Sequence, residues 1–411
     1  MKVLHICYTD NVGGAAKAAF RYHCALQKKG IDTKMLVYNK KLSKDPSIIQ
    51  MNGLIEKLYA YFGFYIQRFL ISTFKKRKGN DFSIMCFPDK SFVRKINKLN
   101  PDIIHFHYLG PGIISIKGLS LIKQKIVWTL HDSFIFTGGC HTPGNCLKYE
   151  VACGSCDYLG SSKKNDISKQ FWNYKFKYLT DFKNINLTSP SNWMKNCAEA
   201  SSIFKNKSVE CIPNLIDTDL YNPKSKVESK LFFGIDSNIK VITTGGSNFE
   251  FDSNKGMKLF LDSLEHLDNK SNVEIFIFGT EKKGKEIFKG FTLNYLGYVS
   301  SQDLLVTLFS ASDVVVVPSK QESFGQVAVE AMACGSPVVA FDTSGLKDIV
   351  NHKVNGYLAK PFDVEDLAKG IGYVLSNELS ERAIANVKDK FSQKIVINKL
   401  IAHYNTILID A

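Results

Sequence analysis

The sequence predicts an α/β protein built from two doubly wound, Rossmann-like domains facing a cleft. Three observations predict it. The chain has 411 residues, more than the roughly 250–300 that a single core serves. Its first third reads as strand, glycine turn, helix and strand, the βαβ unit of a parallel sheet. The same pattern restarts near residue 240. With 45% apolar and 22% charged residues, the composition excludes disorder, collagen and a disulfide mini-scaffold.

Taken in order, Val3–Tyr8 is a short apolar run and Asn11-Val12-Gly13-Gly14 a turn. Ala15–Lys29 has helical periodicity and stops at Gly30, a helix-ending residue. Lys34–Tyr38, Asp102–His107, Lys125–Leu130 and Asn186–Ser189 read as further strands. The passage between domains is expected between about 190 and 230, where Ile212 to Lys230 is rich in turn formers. Lys240–Thr244 restarts the pattern with the turn Gly245-Gly246. Val273–Phe278, Asp313–Val317 and Pro337–Phe341 follow as apolar runs between Gly, Pro or Ser, the mark of buried parallel strands. The expected domains are 1–205, 206–385 and a C-terminal helix, 386–411, packing back on the first. Ligands of such sheets bind at the carboxyl ends of the strands.

Charge is unevenly placed. Residues 1–100 hold nineteen Lys and Arg against six acids, +13 of the chain's +14. Such a surplus attracts anions: phosphorylated substrates, anionic membranes or nucleic acid. The aromatic stretch Leu58–Phe74 runs into Lys75, Lys76, Arg77 and Lys78. Aromatic plus basic suits an anionic membrane surface. The stretch is too short and too interrupted, by Gln67 and Arg68, to span one. Nucleic acid is not expected, because no groove-reading motif accompanies the charge. The N-terminal apolar run is too short for an export signal, so the expected location is cytoplasmic, peripheral on the inner face of the plasma membrane. Ten cysteines in a reducing compartment point to core thiols and a metal site before disulfides. Cys7, Cys24, Cys86, Cys197, Cys211 and Cys334 are dispersed. Cys140, Cys146, Cys153 and Cys156 are clustered and end in a C-x2-C pair, a candidate structural zinc set.

The richest segment is Val316–Phe341, VVPSKQESFGQVAVEAMACGSPVVAF. Ser323 with Gln326 reads as a capping box, Gly335 as the helix stop and Pro337 as a block to continuation. The helix start at Phe324-Gly325 offers amides and a positive dipole end to a diphosphate. Glu322 and Glu330 are two helical turns apart, so both could face one ligand and accept hydrogen bonds from vicinal hydroxyls. Glu330 lies among Val327, Ala328, Val329, Ala331 and Met332, where an unpaired carboxylate is costly.

P-S-x-x-E-S-F-G-x4-E-A-M-A-C-G-x-P-V-V-A resembles the signature of family 4 glycosyltransferases, which have the two-domain GT-B fold. Ile212–Pro223, Lys255-Gly256, Pro101–His107, Thr129–Asp132 and Asp342–Asp363 resemble further family segments, and the likeness is closest to bacterial exopolysaccharide transferases of the colanic-acid type. The resemblance implies a retaining enzyme that moves a sugar from a nucleotide-diphosphate donor to a lipid-diphosphate-linked glycan in surface polysaccharide assembly (capsule, O-antigen or exopolysaccharide). It implies ribose binding by Glu330 and donor-sugar binding by Glu322. It places the diphosphate on the backbone of Ser323, Phe324 and Gly325, with its charge met by Lys255 and with Gly14 close by. His131 would stand beside the donor sugar, and His107 and Asp132 on the acceptor side. No cofactor is implied for catalysis. The chain departs from the family in three places. GGSNFEFDSNKG has no Arg before Lys255, Asp348 replaces a Glu, and Ser344 replaces the first Gly of a Gly-Gly pair. An epimerase on the same fold, or a non-catalytic binder of sugar nucleotide or glycan, are the competing readings.

Overall fold

The computed structural model describes residues 1–51, 53–77, 82–84, 90–110, 114–267 and 272–409. Lys78 and Cys86 lie outside the described residues. The chain forms two compact units. One is Met1–Pro213 together with the residues from Ile397 on, and the other is Asn214–Val396. The divisions fall later than the expected 205/206 and 385/386.

The first unit carries seven strands: β1 Lys2–Thr9, β2 Asp32–Asn39, β3 Ile48–Gln50, β4 Ile103–Phe106, β5 Lys125–Thr129, β6 Ile185–Ser189 and β7 Val209–Cys211. Their order is β3-β2-β1-β4-β5-β6-β7, and every pairing is parallel. The order reverses at β1 and β4, the switch point where doubly wound sheets bind ligands. Gly13, with φ 90°, caps the helix Gly14–Lys28, which follows β1 at that point.

The second unit also carries seven: β8 Lys240–Gly245, β9 Val273–Phe278, β10 Lys283–Phe288, β11 Phe291–Gly297, β12 Val314–Val317, β13 Val338–Phe341 and β14 Gly356–Ala359. The order is β10-β11-β9-β8-β12-β13-β14, with its switch point at β8 and β12. Both faces of β12 are covered, so its four valines are buried, each contributing roughly 1.5–3 kcal/mol of apolar burial. The edge strand β10 is antiparallel to β11. Lys289 (φ 52°) and Gly290 (φ 86°) join them in a two-residue turn, the left-handed pair that hairpins favour.

The C-terminal segment is two helices rather than one, Ser380–Lys390 and Gln393–Ile409. The second ends in the first unit, where the buried Tyr404 hydroxyl lies 2.5 Å from His105 Nδ1. Among the described residues, no helix is long and apolar enough to cross a membrane.

Candidate functional site

In the second unit, three loops converge behind β12. Lys255 ends a short turn, Ser253–Lys255, which the Asp252 side chain caps by accepting from Asn254 N–H. Gly256 follows with φ 74°. A Cβ there would stand 1.9 Å from the Pro318 carbonyl oxygen, so only glycine lets this turn dock on the end of β12. Asn254 Nδ2 donates to the Gln321 carbonyl at 2.7 Å, and Lys320 N–H donates to the Asn254 carbonyl at 2.7 Å. This stitching brings Lys255 Nζ to 2.7 Å from Glu322 Oε1. Ser319 Oγ donates to the same oxygen at 2.9 Å. Burial works against the charge on Lys255, but the adjacent Glu322 carboxylate outweighs it and holds the ammonium pKa above its ordinary value.

The backbone of Glu322 is fixed from the third loop. Its N–H donates to Ser344 Oγ at 2.8 Å, and its carbonyl accepts from Gly345 N–H at 2.9 Å. Ser344 is held at φ 49°, in the left-handed region that favours glycine. The hydroxyl compensates for a backbone conformation that ordinarily costs a side-chain-bearing residue about 1 kcal/mol. A Cβ on Gly345 would stand 2.7 Å from the Ser323 carbonyl oxygen.

Ser323 is not the helix cap. The helix spans Gln326–Ala333, and Gly325 caps it at φ 112° with no side-chain hydrogen bond. A Cβ at Gly325 would meet Leu346 at 2.7 Å, and the left-handed φ favours glycine at this cap position. Glu322 therefore sits in a loop, and the two-turn spacing from Glu330 does not describe their relation. Glu330 lies in the helix and is buried. Phe324 is buried too and packs edge-to-face on Phe391, with ring centroids 5.6 Å apart. Its side chain anchors the loop, which leaves the backbone as the part of Phe324 available to a ligand. Gly335 ends the helix at φ 87°, as expected.

In the first unit, His107, His131 and Asp132 line one pocket with Tyr108, Trp128, His141 and Ser83. His107 Nδ1 lies 3.0 Å from His131 Nε2. Burial pushes the His131 pKa down to about 4, with Asp132 opposing. Asp132 Oδ2 accepts from His141 Nδ1 at 2.7 Å, and its Oδ1 accepts from Phe134 N–H at 2.9 Å. Burial would raise the Asp132 carboxyl, but His141 and these donors hold it below the usual range. A carboxylate only accepts, so His141 carries its proton on Nδ1. Its Nε2, 2.7 Å from Ser83 Oγ, accepts when the ring is neutral. His141 and Ser83 were not singled out from sequence. Ser83 reaches the pocket through the isolated bridge Phe82–Cys140, which no local pattern announces.

Cys140, Cys146, Cys153 and Cys156 are all free thiols and line a second pocket of the same unit. Gly138 N–H donates to Cys153 Sγ at 3.1 Å. Burial pushes the Cys140 thiol up to about 12 and that of Cys153 up to about 11. Tetrahedral zinc with bonds near 2.3 Å sets its sulfurs about 3.8 Å apart. Among the described residues, only His5, His105 and His107 bring three donor atoms within 4.8 Å of one another. The four sulfurs therefore share a pocket without standing at zinc spacing. Lys175, unforeseen from sequence, is buried beside them and donates to the carbonyls of Phe134 and Thr137.

Residues 12–220 match the family described as glycosyltransferase family 4, and residues 249–390 match glycosyl transferases group 1. The chain belongs to glycosyltransferase family 4. Its fold is GT-B, with two Rossmann-like domains. An uncharacterised glycosyltransferase of Methanocaldococcus jannaschii is 25% identical to this transferase over 342 residues, covering 81% of this chain and 87% of that one. N-acetyl-alpha-D-glucosaminyl L-malate synthase of Bacillus anthracis is 23% identical over 351 residues, covering 80% and 82%. D-inositol 3-phosphate glycosyltransferase of Mycolicibacterium smegmatis is 32% identical over 209 residues, covering 47% and 46%. Among solved structures, sucrose-phosphate synthase of Thermosynechococcus elongatus superposes with a TM-score of 0.69 at 17% identity over all of both chains. HepE of Anabaena in complex with UDP-glucose gives 0.62 at 16% identity, covering 99% and 100%. At these identities the solved structures speak for the fold alone.

Proposed function

We propose that this transferase is a retaining enzyme using a nucleoside-diphosphate sugar. In this reading Lys255 and the amides of Ser323, Phe324 and Gly325 hold the diphosphate, Glu330 binds the ribose, and Glu322 orients the donor sugar. The observation that carries it is the contact of Lys255 with Glu322, 2.7 Å apart and clamped from three loops. It sets a cation for the leaving diphosphate beside a carboxylate for sugar hydroxyls. Fixed charge aimed at a departing diphosphate lowers the barrier without reorganisation. HepE was solved with UDP-glucose, which makes UDP-sugars the first donors to try. His107, His131 and Asp132 are assigned to the sugar and acceptor side.

The acceptor is proposed to be a lipid-diphosphate-linked glycan of a bacterial surface polysaccharide, met at an anionic membrane. The helix Leu54–Ser72 supports this by exposing Tyr61, Phe62, Tyr65 and Phe69, the last 69% exposed. Arg68, Lys75, Lys76 and Arg77 supply positive charge nearby. Aromatic rings with basic neighbours suit the headgroup layer. A structural zinc on the four clustered thiols is proposed as well, and an ion there would draw the sulfurs together. About one zinc per chain, lost in Cys153→Ser, would support it; metal-free active protein would not.

The test is a panel of UDP-, GDP- and ADP-sugars with lipid-linked acceptor extract, following nucleotide release and reading the product anomer by NMR. Release from one donor with the anomer preserved supports retention. An inverted anomer overturns retention, an epimerised donor identifies an epimerase, and binding without turnover identifies a non-catalytic binder.

A further inference from the structure

Three histidines of the first unit form one hydrogen-bonded line. His5 on β1 and His107, just past β4, approach Nδ1 to Nε2 at 3.0 Å. His107 uses its other nitrogen on His131 Nε2, also at 3.0 Å. Both pairs of rings are stacked, with centroids 5.3 Å apart. At the buried end, His5 Nε2 has no hydrogen-bond partner among the described residues. The other end, His131, lines the pocket described above. His105 stands beside the line without joining it. Its Nδ1 lies 2.5 Å from Tyr404 Oη and its Nε2 2.6 Å from Thr129 Oγ1.

Burial lowers the pKa of all three rings in the line, so near neutral pH each carries one N–H. Two contacts between neutral rings allow two directions. In one, His5 donates from Nδ1, His107 donates from Nδ1, and His131 accepts at Nε2 and keeps its proton on Nδ1. In the other the bonds reverse, and the last proton sits on His5 Nε2 as a buried N–H without an acceptor. An orphaned buried N–H is rarer than an unfilled lone pair. Its penalty biases the population roughly tenfold or more. The first direction leaves only a bare lone pair at the buried end.

We propose that His5 and His107 are positioning residues that lock His131 in the Nδ1–H tautomer, so that His131 meets its ligand as a hydrogen-bond donor and not as a base. The N–H suits a sugar hydroxyl or a phosphate oxygen. That consequence rests on the reading of His131 as a ligand-facing residue, whereas the tautomer does not. His5, His105 and His107 also have the spacing of a metal trio. The line accounts for those rings differently: two hydroxyls occupy His105, and both nitrogens of His107 are already engaged.

The test is ring-nitrogen NMR of the full-length wild-type protein labelled with ¹⁵N-histidine, near pH 7.5, assigned with single His→Gln variants. The expected result is a proton-bearing Nδ1 and a bare Nε2 on His131, with the same pattern on His5 and His107. His5→Gln should lower the Nδ1–H to Nε2–H ratio at His131 by about fivefold or more. Should that variant not fold, the wild-type spectrum decides alone. An Nε2–H tautomer at His131, an even mixture of tautomers, or metal-shifted nitrogens with stoichiometric bound metal would each overturn the proposal. No turnover enters the readout, so a failed donor screen leaves this result standing, and the reverse holds too.

Discussion

The two units hold their candidate groups in different ways. In the second, the groups come from short stretches: Lys255-Gly256, Ser319–Gly325 and Ser344-Gly345. Glycines at +74° and +112° let those stretches close on one another, and backbone hydrogen bonds fix them. In the first, the groups arrive singly from β1, from the ends of β4 and β5, and from the cysteine-rich loop. The sheet register sets the histidines side by side, and the isolated Phe82–Cys140 bridge brings in Ser83. His5 is paired with His105, and His107, two residues on, falls on the same face. A cradle of loops tolerates little change in backbone. A line of side chains is exposed instead to changes in protonation. The predictions below separate these two kinds of site.

The largest effect is expected at the contact inside the cradle. Glu322→Ala and Lys255→Ala should each lower kcat by about 10²–10³-fold, the scale of losing one preorganised electrostatic contact. Each variant also leaves its partner charge unpaired and largely buried, so the melting temperature should fall as well, and turnover is to be compared well below it. A variant retaining a third of wild-type turnover would break the donor-cradle reading.

Gly256→Ala comes next. Its Cβ would be driven toward the Pro318 carbonyl from a backbone conformation that alanine disfavours, so a loss of about 2–3 kcal/mol is expected. Urea unfolding would measure it, and an unchanged midpoint would show that the turn can shift without cost.

Acid should weaken the first unit. Burial outweighs the nearby Asp45 and lowers the His23 pKa to about 4. The folded state refuses a proton that the unfolded chain takes up below about 6.5, the ordinary histidine value. The stability present above 6.5 is therefore lost progressively as pH falls toward 4. The expected loss is about 2 kcal/mol by pH 5 from His23 alone. Urea midpoints at pH 7.5 and 5 test this, and His23→Gln should shrink the difference between them.

The smallest effect is expected at Ser344. Ser344→Ala keeps the strained φ and removes the acceptor for Glu322 N–H, so about 1 kcal/mol should be lost, with donor KM rising severalfold. Ser344→Gly relieves the strain while losing the same bond, and should come out near neutral in stability. Equal destabilisation of the two would show that the hydroxyl, not the backbone, decides this position.

Much of the cradle was legible in sequence because it is local. Its residue types, the glycine after Lys255 and the helix after Gly325 all lie within a few positions of the groups they serve. The cap was misread, because Ser323 and Gln326 have capping-box spacing while the left-handed Gly325 takes the role. Nine strands were legible to within a residue or two, whereas β3, β7 and β14, each only three or four residues long, gave too short a pattern to read. Strands β10 and β11 were not legible either, since Lys283–Phe288 is polar and sits at a sheet edge; Lys289-Gly290 was the available turn signal. The histidine line was illegible as a line. Each member looks like an isolated histidine until strand pairing sets His5 beside His105 and His107.

The central claim is that Lys255 and Glu322 divide the donor between them, the one taking the diphosphate and the other the sugar. The most direct test is calorimetry with the nucleoside diphosphate that the donor panel identifies, and with its sugar conjugate. Lys255→Ala should weaken both ligands by at least about tenfold, the scale of one charge-assisted contact. Glu322→Ala should leave the diphosphate nearly unchanged and weaken the sugar conjugate alone. Equal binding of the diphosphate by wild type and Lys255→Ala would contradict the account.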